Sequence, residues 1–167
     1  GGHAQLAMSY TISPVHTIEY FKNLALEMQE IGADSIAIKD MSGILLPEVA
    51  YKLVKELKSV LRVPVEVHTH ATAGLASMTY IKAVEAGADI IDTAISPLSG
   101  GTSQPATESI VRAFQGTERE TGFDLELLKE IAESFKPIRA KYLQEGILNP
   151  QALMTEPSIV EYQLPGG

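Results

Sequence analysis

The pattern of apolar and polar positions alternates between two periods along the first two thirds of the chain. Short apolar runs at residues 5–10, 35–38, 65–68 and 89–92 are typical of β-strands, and apolar residues recur at helical spacing over residues 15–31, 47–61 and 76–86. This β-α-β-α-β-α-β order predicts parallel strands with covering helices. A flavodoxin-like sheet and a TIM barrel both satisfy it.

The pattern changes after residue 92. A polar, Gly-rich loop at residues 96–105 precedes predicted helices at 106–114 and 124–144, and Pro137 is expected to kink or divide the second of these. The tail, residues 147–167, contains three prolines and one short β-like run at 158–162. Since a full TIM barrel takes eight βα units and about 250 residues, four units correspond to about half of one.

Composition and charge narrow the class of protein. The chain has 167 residues, of which 45% are apolar and 20% charged, which is enough for one domain with a core. Its net charge of -8 argues against nucleic-acid partners and against an anionic membrane surface. There is no cysteine, so disulfides and thiolate metal sites are excluded. No apolar stretch approaches the roughly 20 residues of a membrane helix and no signal peptide is visible, so we expect a cytoplasmic protein without direct membrane insertion.

Ionisable residues stand at the ends of three predicted strands. Lys39-Asp40 closes the second strand, His68-Thr69-His70 the third and Asp92-Thr93 the fourth. Because parallel α/β enzymes place their active sites at the carboxyl ends of strands, this pattern predicts an active-site face.

His68 and His70 are candidate metal ligands. Residues i and i+2 of an extended segment point the same way, and imidazoles suit zinc, manganese or cobalt. Two histidines do not complete a site, and the alternative interpretation is that both are merely hydrogen-bonded near a strand end.

Lys39 follows an apolar run that should be buried. Such a lysine must pair, emerge at the strand end, or lose its charge. A direct pair with Asp40 is awkward because adjacent strand residues point to opposite faces. Nearby loops offer hydrogen-bonding groups at Thr72, Thr102 and Gln104, although Ser/Thr-rich turns are usually only turns.

The sequence resembles a known family in four segments, at residues 38–43, 67–74, 86–89 and 101–105. In this order and spacing they resemble a carboxyltransferase domain. Pyruvate carboxylase, the oxaloacetate decarboxylase alpha subunit and the transcarboxylase subunit that handles pyruvate share this domain. The resemblance runs from about residue 10 to the end, where Leu164-Pro165-Gly166-Gly167 is similar to the family's Pro-Gly-Gly turn. It implies an α/β fold: the C-terminal half of a TIM (β/α)8-type barrel at residues 4–116, about four βα units, followed by a helical extension at 117–167.

The resemblance also implies a chemistry, which is carboxyl transfer between biotin on a carrier domain and pyruvate or oxaloacetate. A divalent metal, zinc first and manganese or cobalt as alternatives, would be held by two histidines, a carbamylated lysine and an aspartate. His68, His70 and Lys39 match three of these ligands, with Lys39 catalytic as the carbamate. The expected substrate-binding residues are Asp40, Thr72, Thr102 and Gln104, and the expected assembly is a homo-oligomer.

The sequence departs from the family pattern in two ways. Ala71 stands where many pyruvate carboxylases carry Asp, which favours the decarboxylase-type and separate-subunit members. The family's aspartate ligand and its pyruvate-binding arginine and glutamine belong to strands with no counterpart here, so we expect the isolated chain to be inactive in carboxyl transfer. Two alternatives remain: an aldol-type acyl-CoA lyase or synthase of similar fold, and a non-catalytic half-barrel that assembles with itself or with another half.

Overall fold

Four parallel strands lie side by side in the order in which the chain forms them. The structure, a computed structural model, describes residues 1–161. The strands are β1 (Gln5–Ser9), β2 (Ser35–Asp40), β3 (Val65–Thr69) and β4 (Ile90–Ile91), and every neighbouring pair is parallel. A flavodoxin-like sheet reverses its strand order at a switch point, whereas a barrel does not. The sequential order therefore confirms the α/β, partial-barrel prediction.

The connecting helices lie where the helical periodicity predicted them. They are α1 (Ile18–Glu30), α2 (Pro47–Val60) and α3 (Ala76–Glu85), followed by α4 (Thr107–Phe114) and α5 (Leu125–Gln144). Helix α1 begins three residues later than predicted because Thr17 caps it, accepting a hydrogen bond from the Tyr20 amide at 3.1 Å. Short 3₁₀ turns occupy Ser96–Leu98, Pro150–Leu153 and Pro157–Glu161.

One face of the sheet carries the hydrophobic core. The strand side chains on this face are buried under the helices, and burial of each such side chain stabilises the fold by about 1.5–3 kcal/mol. The core's largest fully buried members are Met8, Phe21, Ile36, Ile38, Ile44, Leu45, Leu53, Val54, Leu57, Val65, Val67 and Tyr80. The opposite, open face of the sheet carries polar side chains, of which Ser35 and Glu66 are buried and Gln5 and Lys39 are exposed.

One local prediction was wrong, and another was wrong in part, since the division of α5 is excluded whereas a kink in it stays a prediction. The run at 158–162 was predicted to be β-like, but Pro157–Glu161 is a 3₁₀ turn, and Tyr162 lies outside the described residues. Pro137 does not divide α5, which continues through it. Since Glu133 and Pro137 are both exposed, water can satisfy the carbonyl that the proline leaves without a donor.

The division of the chain at residue 116 stays a prediction, and the Leu164–Gly167 turn lies outside the described residues. Across residues 1–161, no helix combines the length and the apolar character needed to cross a membrane.

Candidate metal centre

The register of the strands brings Lys39 and the two histidines to the same face. Lys39 lies opposite Ser9 on one side and His68 on the other, so all three side chains project from the open face of the sheet. His70 follows two residues later, and its ring centroid is 5.1 Å from that of His68. The sequence prediction that these residues share one site is therefore consistent with the fold.

Each imidazole is held through its Nδ1 atom. Nδ1 of His68 is 2.7 Å from an oxygen of Asp92, and Nδ1 of His70 is 2.6 Å from the main-chain carbonyl of Thr102. A carbonyl oxygen only accepts, so Nδ1 of His70 carries the proton and Nε2 keeps its lone pair. The Asp92 carboxylate imposes the same tautomer on His68.

The Nε2 atoms are the ones left for a ligand. Nε2 of His70 is buried and makes no hydrogen bond with any of the described residues. Nε2 of His68 has the side-chain amide of Gln104 at 3.4 Å. Metal-binding histidines commonly donate their other ring N–H to a carboxylate or a carbonyl, so the two imidazoles fit a divalent metal.

Burial lowers the pKa of His70 below its ordinary value of 6.5. The hydrogen bond to Thr102 and the negative charge of Asp40 oppose this effect, while the charge of Lys39 and, when it is protonated, that of His68 add to it. The ring is therefore neutral at neutral pH, which is the form that binds a metal.

Lys39 is exposed at the end of β2, which is one of the three outcomes that the sequence left open. The apolar run before it covers both sides of β2, but Lys39 itself points to the open face, and Asp40 points to the opposite one. Its ammonium makes no hydrogen bond or ion pair with the other residues of the 1–161 range. The lysine is thus available for modification beside His68.

Asp40 is not brought to this cluster. Its carboxylate is fully buried on the helix side of the sheet and accepts hydrogen bonds from the amides of Ile44 and Leu45 and from the hydroxyl of Thr69, at 3.1, 2.8 and 2.7 Å. These contacts hold the loop after β2 against the end of β3. Asp40 therefore stabilises the loop beside the site, and its carboxylate does not face a substrate.

The predicted loop residues lie around the histidines. Gln104 contacts His68, and Thr102 holds His70 through its main chain while its own side chain is exposed. Thr72 is half-buried in the loop after β3, and its carbonyl accepts a hydrogen bond from the Glu156 amide at 2.7 Å.

Sequence reasoning missed three residues of the open face. Asp92 was recognised as a strand-end residue but not as the partner of His68. Gln5 donates a hydrogen bond to Glu66 at 2.8 Å on the same face. Burial raises the pKa of Glu66, the hydrogen bond from Gln5 opposes this, and the negative charge of Asp92 raises it further. Alternation along β1 and β3 was the available signal for Gln5 and Glu66, because it places residues 5, 66 and 68 on one face.

The protein side chains alone do not complete a metal site. Within residues 1–161, no group of three or more His, Cys, Asp or Glu side chains is arranged to hold a metal ion. A metal at this position would need a further donor from another kind of group or from outside residues 1–161, and Lys39 is the side chain that lies beside His68 in the register.

Comparison with known proteins identifies the family. The model of the HMGL-like family matches residues 4–134, so the chain belongs to that family. The chain is 51% identical over its whole length to a pyruvate carboxylase subunit of Methanocaldococcus jannaschii, and 40% identical, also over its whole length, to the methylmalonyl-CoA carboxyltransferase 5S subunit of Propionibacterium freudenreichii. The resemblance inferred from the motifs is confirmed.

A solved structure supports the same assignment. The carboxyl transferase domain of Rhizobium etli pyruvate carboxylase, determined with pyruvate, superposes with a TM-score of 0.81 and 40% identity over 83% of this chain. The chain spans 29% of the first relative, 33% of the second and 24% of the solved chain. The α/β half-barrel described above therefore corresponds to part of a carboxyltransferase domain.

Proposed function

We propose that this chain supplies the metal-binding strands of a biotin-dependent carboxyltransferase site that moves a carboxyl group to or from pyruvate or oxaloacetate. The observation that carries the proposal is the placement of His68 and His70 beside Lys39 on one face. Both Nδ1 atoms are occupied, Nε2 of His70 has no partner among the described residues, and Nε2 of His68 faces the Gln104 amide at 3.4 Å. The names of the relatives support the reaction class.

In this proposal each residue has a defined task. His68 and His70 hold a divalent metal through Nε2, and Asp92 and the Thr102 carbonyl orient the two rings. The amine of Lys39 adds to CO₂, which forms a new N–C bond and releases one proton, and the resulting carbamate oxygen is the third ligand. A bound metal would supply Lewis-acid polarisation of the substrate's keto oxygen.

The loops would bind the substrate. Gln104 and the hydroxyl of Thr102 offer hydrogen bonds close to the histidines, and Thr72 offers another from the loop after β3. Asp40 is left out of this set because its carboxylate is fully engaged on the other face.

Imidazole and carboxylate-type ligands suit zinc first, with manganese or cobalt as alternatives. The partners proposed are a biotinyl carrier domain and a further copy of the protein in a homo-oligomer, in the cytoplasm. The exposure of Gln5 and Lys39 on the open face supports association, because these polar residues would be covered in a closed barrel.

Carbamylation of Lys39 is the step to test. The chain is incubated with ¹³C-bicarbonate and zinc, the carbamate carbon is observed by NMR, and bound metal is measured by elemental mass spectrometry. We expect a carbamate signal and bicarbonate-dependent zinc, both lost in Lys39→Ala and both kept in Lys52→Ala, a change at a lysine exposed on α2.

Two other outcomes of this experiment would each contradict part of the proposal. Zinc bound without bicarbonate and unaffected by Lys39→Ala would contradict the carbamate and favour the aldol-type alternative, whose histidine pair works without it. No zinc under either condition would contradict the proposal that this chain holds the metal.

A further inference from the structure

Residues 149–156, here named the strap, cross the two loops that carry the candidate site. The amide of Thr102 donates a hydrogen bond to the carbonyl of Ala152 at 2.8 Å, and the amide of Glu156 donates one to the carbonyl of Thr72 at 2.7 Å. The middle of the strap thus contacts the loop after β4, and its last residue contacts the loop after β3. The strap comes after α5 in the chain, far in sequence from both loops.

The loop after β4 approaches the strap too closely for any side chain at position 101. Gly101 is buried and has a φ of +52°, and a Cβ added to it would lie 2.7 Å from the Cα of Leu153 and would also overlap the carbonyl of Ala152. Gly101 is therefore required by the contact as well as by its backbone conformation.

Thr102 is held from both sides. Its N–H is bonded to the strap, and its carbonyl accepts the 2.6 Å hydrogen bond from Nδ1 of His70. This carbonyl fixes which nitrogen of His70 carries the proton and where Nε2 points. A displacement of the strap would therefore move the acceptor on which the orientation of His70 depends.

We infer that the strap is a positioning element for His70, acting through the main chain of Thr102, with Gly101 as the residue that permits the contact. The inference rests on the proposed metal site, since it concerns how one ligand of that site is oriented. The tautomer of His68 is set by Asp92, which holds its Nδ1, although Gln104 of the loop after β4 lies 3.4 Å from its Nε2. The two histidines thus provide an internal comparison.

The test uses the intact chain without metal. Long-range ¹H–¹⁵N NMR reports the tautomer of each histidine, because the two ring nitrogens have widely separated resonances in a fixed neutral tautomer and converge when the tautomers exchange. In Gly101→Ala we expect the resonances of His70 to converge and those of His68 to stay unchanged. Gly100→Ala is the matched control, since Gly100 has a φ of +84° but no atom within 4 Å of an added Cβ. Gly100→Ala therefore introduces the backbone strain of a positive φ without a contact with the strap, and the His70 resonances should stay unchanged.

Changes within the strap give a second route to the same result. The side chain of Asn149 caps the 3₁₀ turn of the strap by accepting a hydrogen bond from the Gln151 amide at 2.9 Å. Asn149→Ala should move the His70 resonances in the same direction as Gly101→Ala, and Asn149→Asp, which keeps the accepting oxygen, should restore them. In the unaltered chain the Thr102 amide should exchange slowly with solvent, and in Asn149→Ala at least about tenfold faster.

Three results would overturn the inference: His70 unchanged in both Gly101→Ala and Asn149→Ala, equal changes in Gly100→Ala, or a Thr102 amide that exchanges in the unaltered chain as fast as an unfolded one. All of these readings are made without metal. A chain that binds no zinc but shows the expected His70 response would refute the proposed function and leave the strap's role intact.

Discussion

Gly43 lies so close to the main chain of His70 that a Cβ added to it would be 2.6 Å from the His70 carbonyl oxygen. Gly43 belongs to the loop after β2, which the Asp40 carboxylate holds against β3. The main chain of His70 is therefore packed against a position in the loop after β2 where only glycine fits. Conformation and contact both require the glycine, since its φ is +72°.

Gly43→Ala should destabilise the chain more than a glycine replacement that brings backbone strain alone. Gly116 has nearly the same φ, +75°, with no atom within 4 Å of an added Cβ, so Gly116→Ala should cost only the left-handed penalty of about 1–2 kcal/mol. Urea denaturation of both variants measures the difference. Equal losses would mean that the contact with His70 carries no energy.

Asp40→Asn should reduce the free energy of unfolding by about 1–3 kcal/mol. The buried carboxylate faces three donors, and the amide group of asparagine would place a fourth donor among them. Asp124→Asn is the matched control, because Asp124 caps α5 through a single oxygen, for which asparagine serves equally well. Urea midpoints that fall equally in the two variants would contradict the structural role assigned to Asp40.

Glu66→Gln should be more stable than the unaltered chain at pH 7, and this advantage should shrink as the pH falls towards 4.5. Burial, together with the charge of Asp92, raises the pKa of Glu66 above 4.5 in the folded state. The folded chain therefore binds the proton more tightly than the unfolded chain does. This contribution to stability is fully present below pH 4.5 and is lost as the pH rises through the folded-state pKa.

Denaturation curves of the two proteins between pH 4 and 7 measure this dependence. Glutamine can still accept the hydrogen bond from Gln5, so its own contacts are retained. A stability difference that stays constant with pH, or that grows on acidification, would contradict the assignment.

Asp92→Ala should lower the zinc affinity of the chain by about 10–100-fold, because partners of metal-binding histidines orient the ring and raise its basicity. Asp92→Asn should lose less zinc affinity, since its amide oxygen can still accept a hydrogen bond from Nδ1 of His68. Competition with a chromophoric chelator measures both affinities. An unchanged affinity in Asp92→Ala would show that the 2.7 Å contact has no role in metal binding.

The sequence predicted the parts of this structure that depend on local pattern. The strands followed from short apolar runs, and the shared face of His68 and His70 followed from the two-residue period of a strand. Lys39 was singled out because a cation after an apolar run requires an explanation. Its orientation away from Asp40 also follows from alternation and was predicted correctly.

What the sequence could not predict depends on contacts between distant segments. Asp92 and His68 are 24 residues apart, and their pairing depends on the twist and end of β4, for which no periodic signal exists. The contact between the strap and Gly101 joins segments about 50 residues apart through main-chain atoms, whose positions residue types do not encode. Whether Lys39 is exposed could not be predicted, because an apolar run shows that a strand is buried but not where its open face begins.

A zinc titration of the chain in the presence of bicarbonate tests the central claim most directly. His68→Ala and His70→Ala should each weaken zinc binding by more than the 10–100-fold expected for the loss of an orienting partner. His3→Ala is the control, since His3 contacts Ser35 at the opposite end of the sheet, and it should leave the affinity unchanged. Zinc bound equally well by all four proteins would contradict the account, because the metal would then lie elsewhere than on Nε2 of His68 and His70.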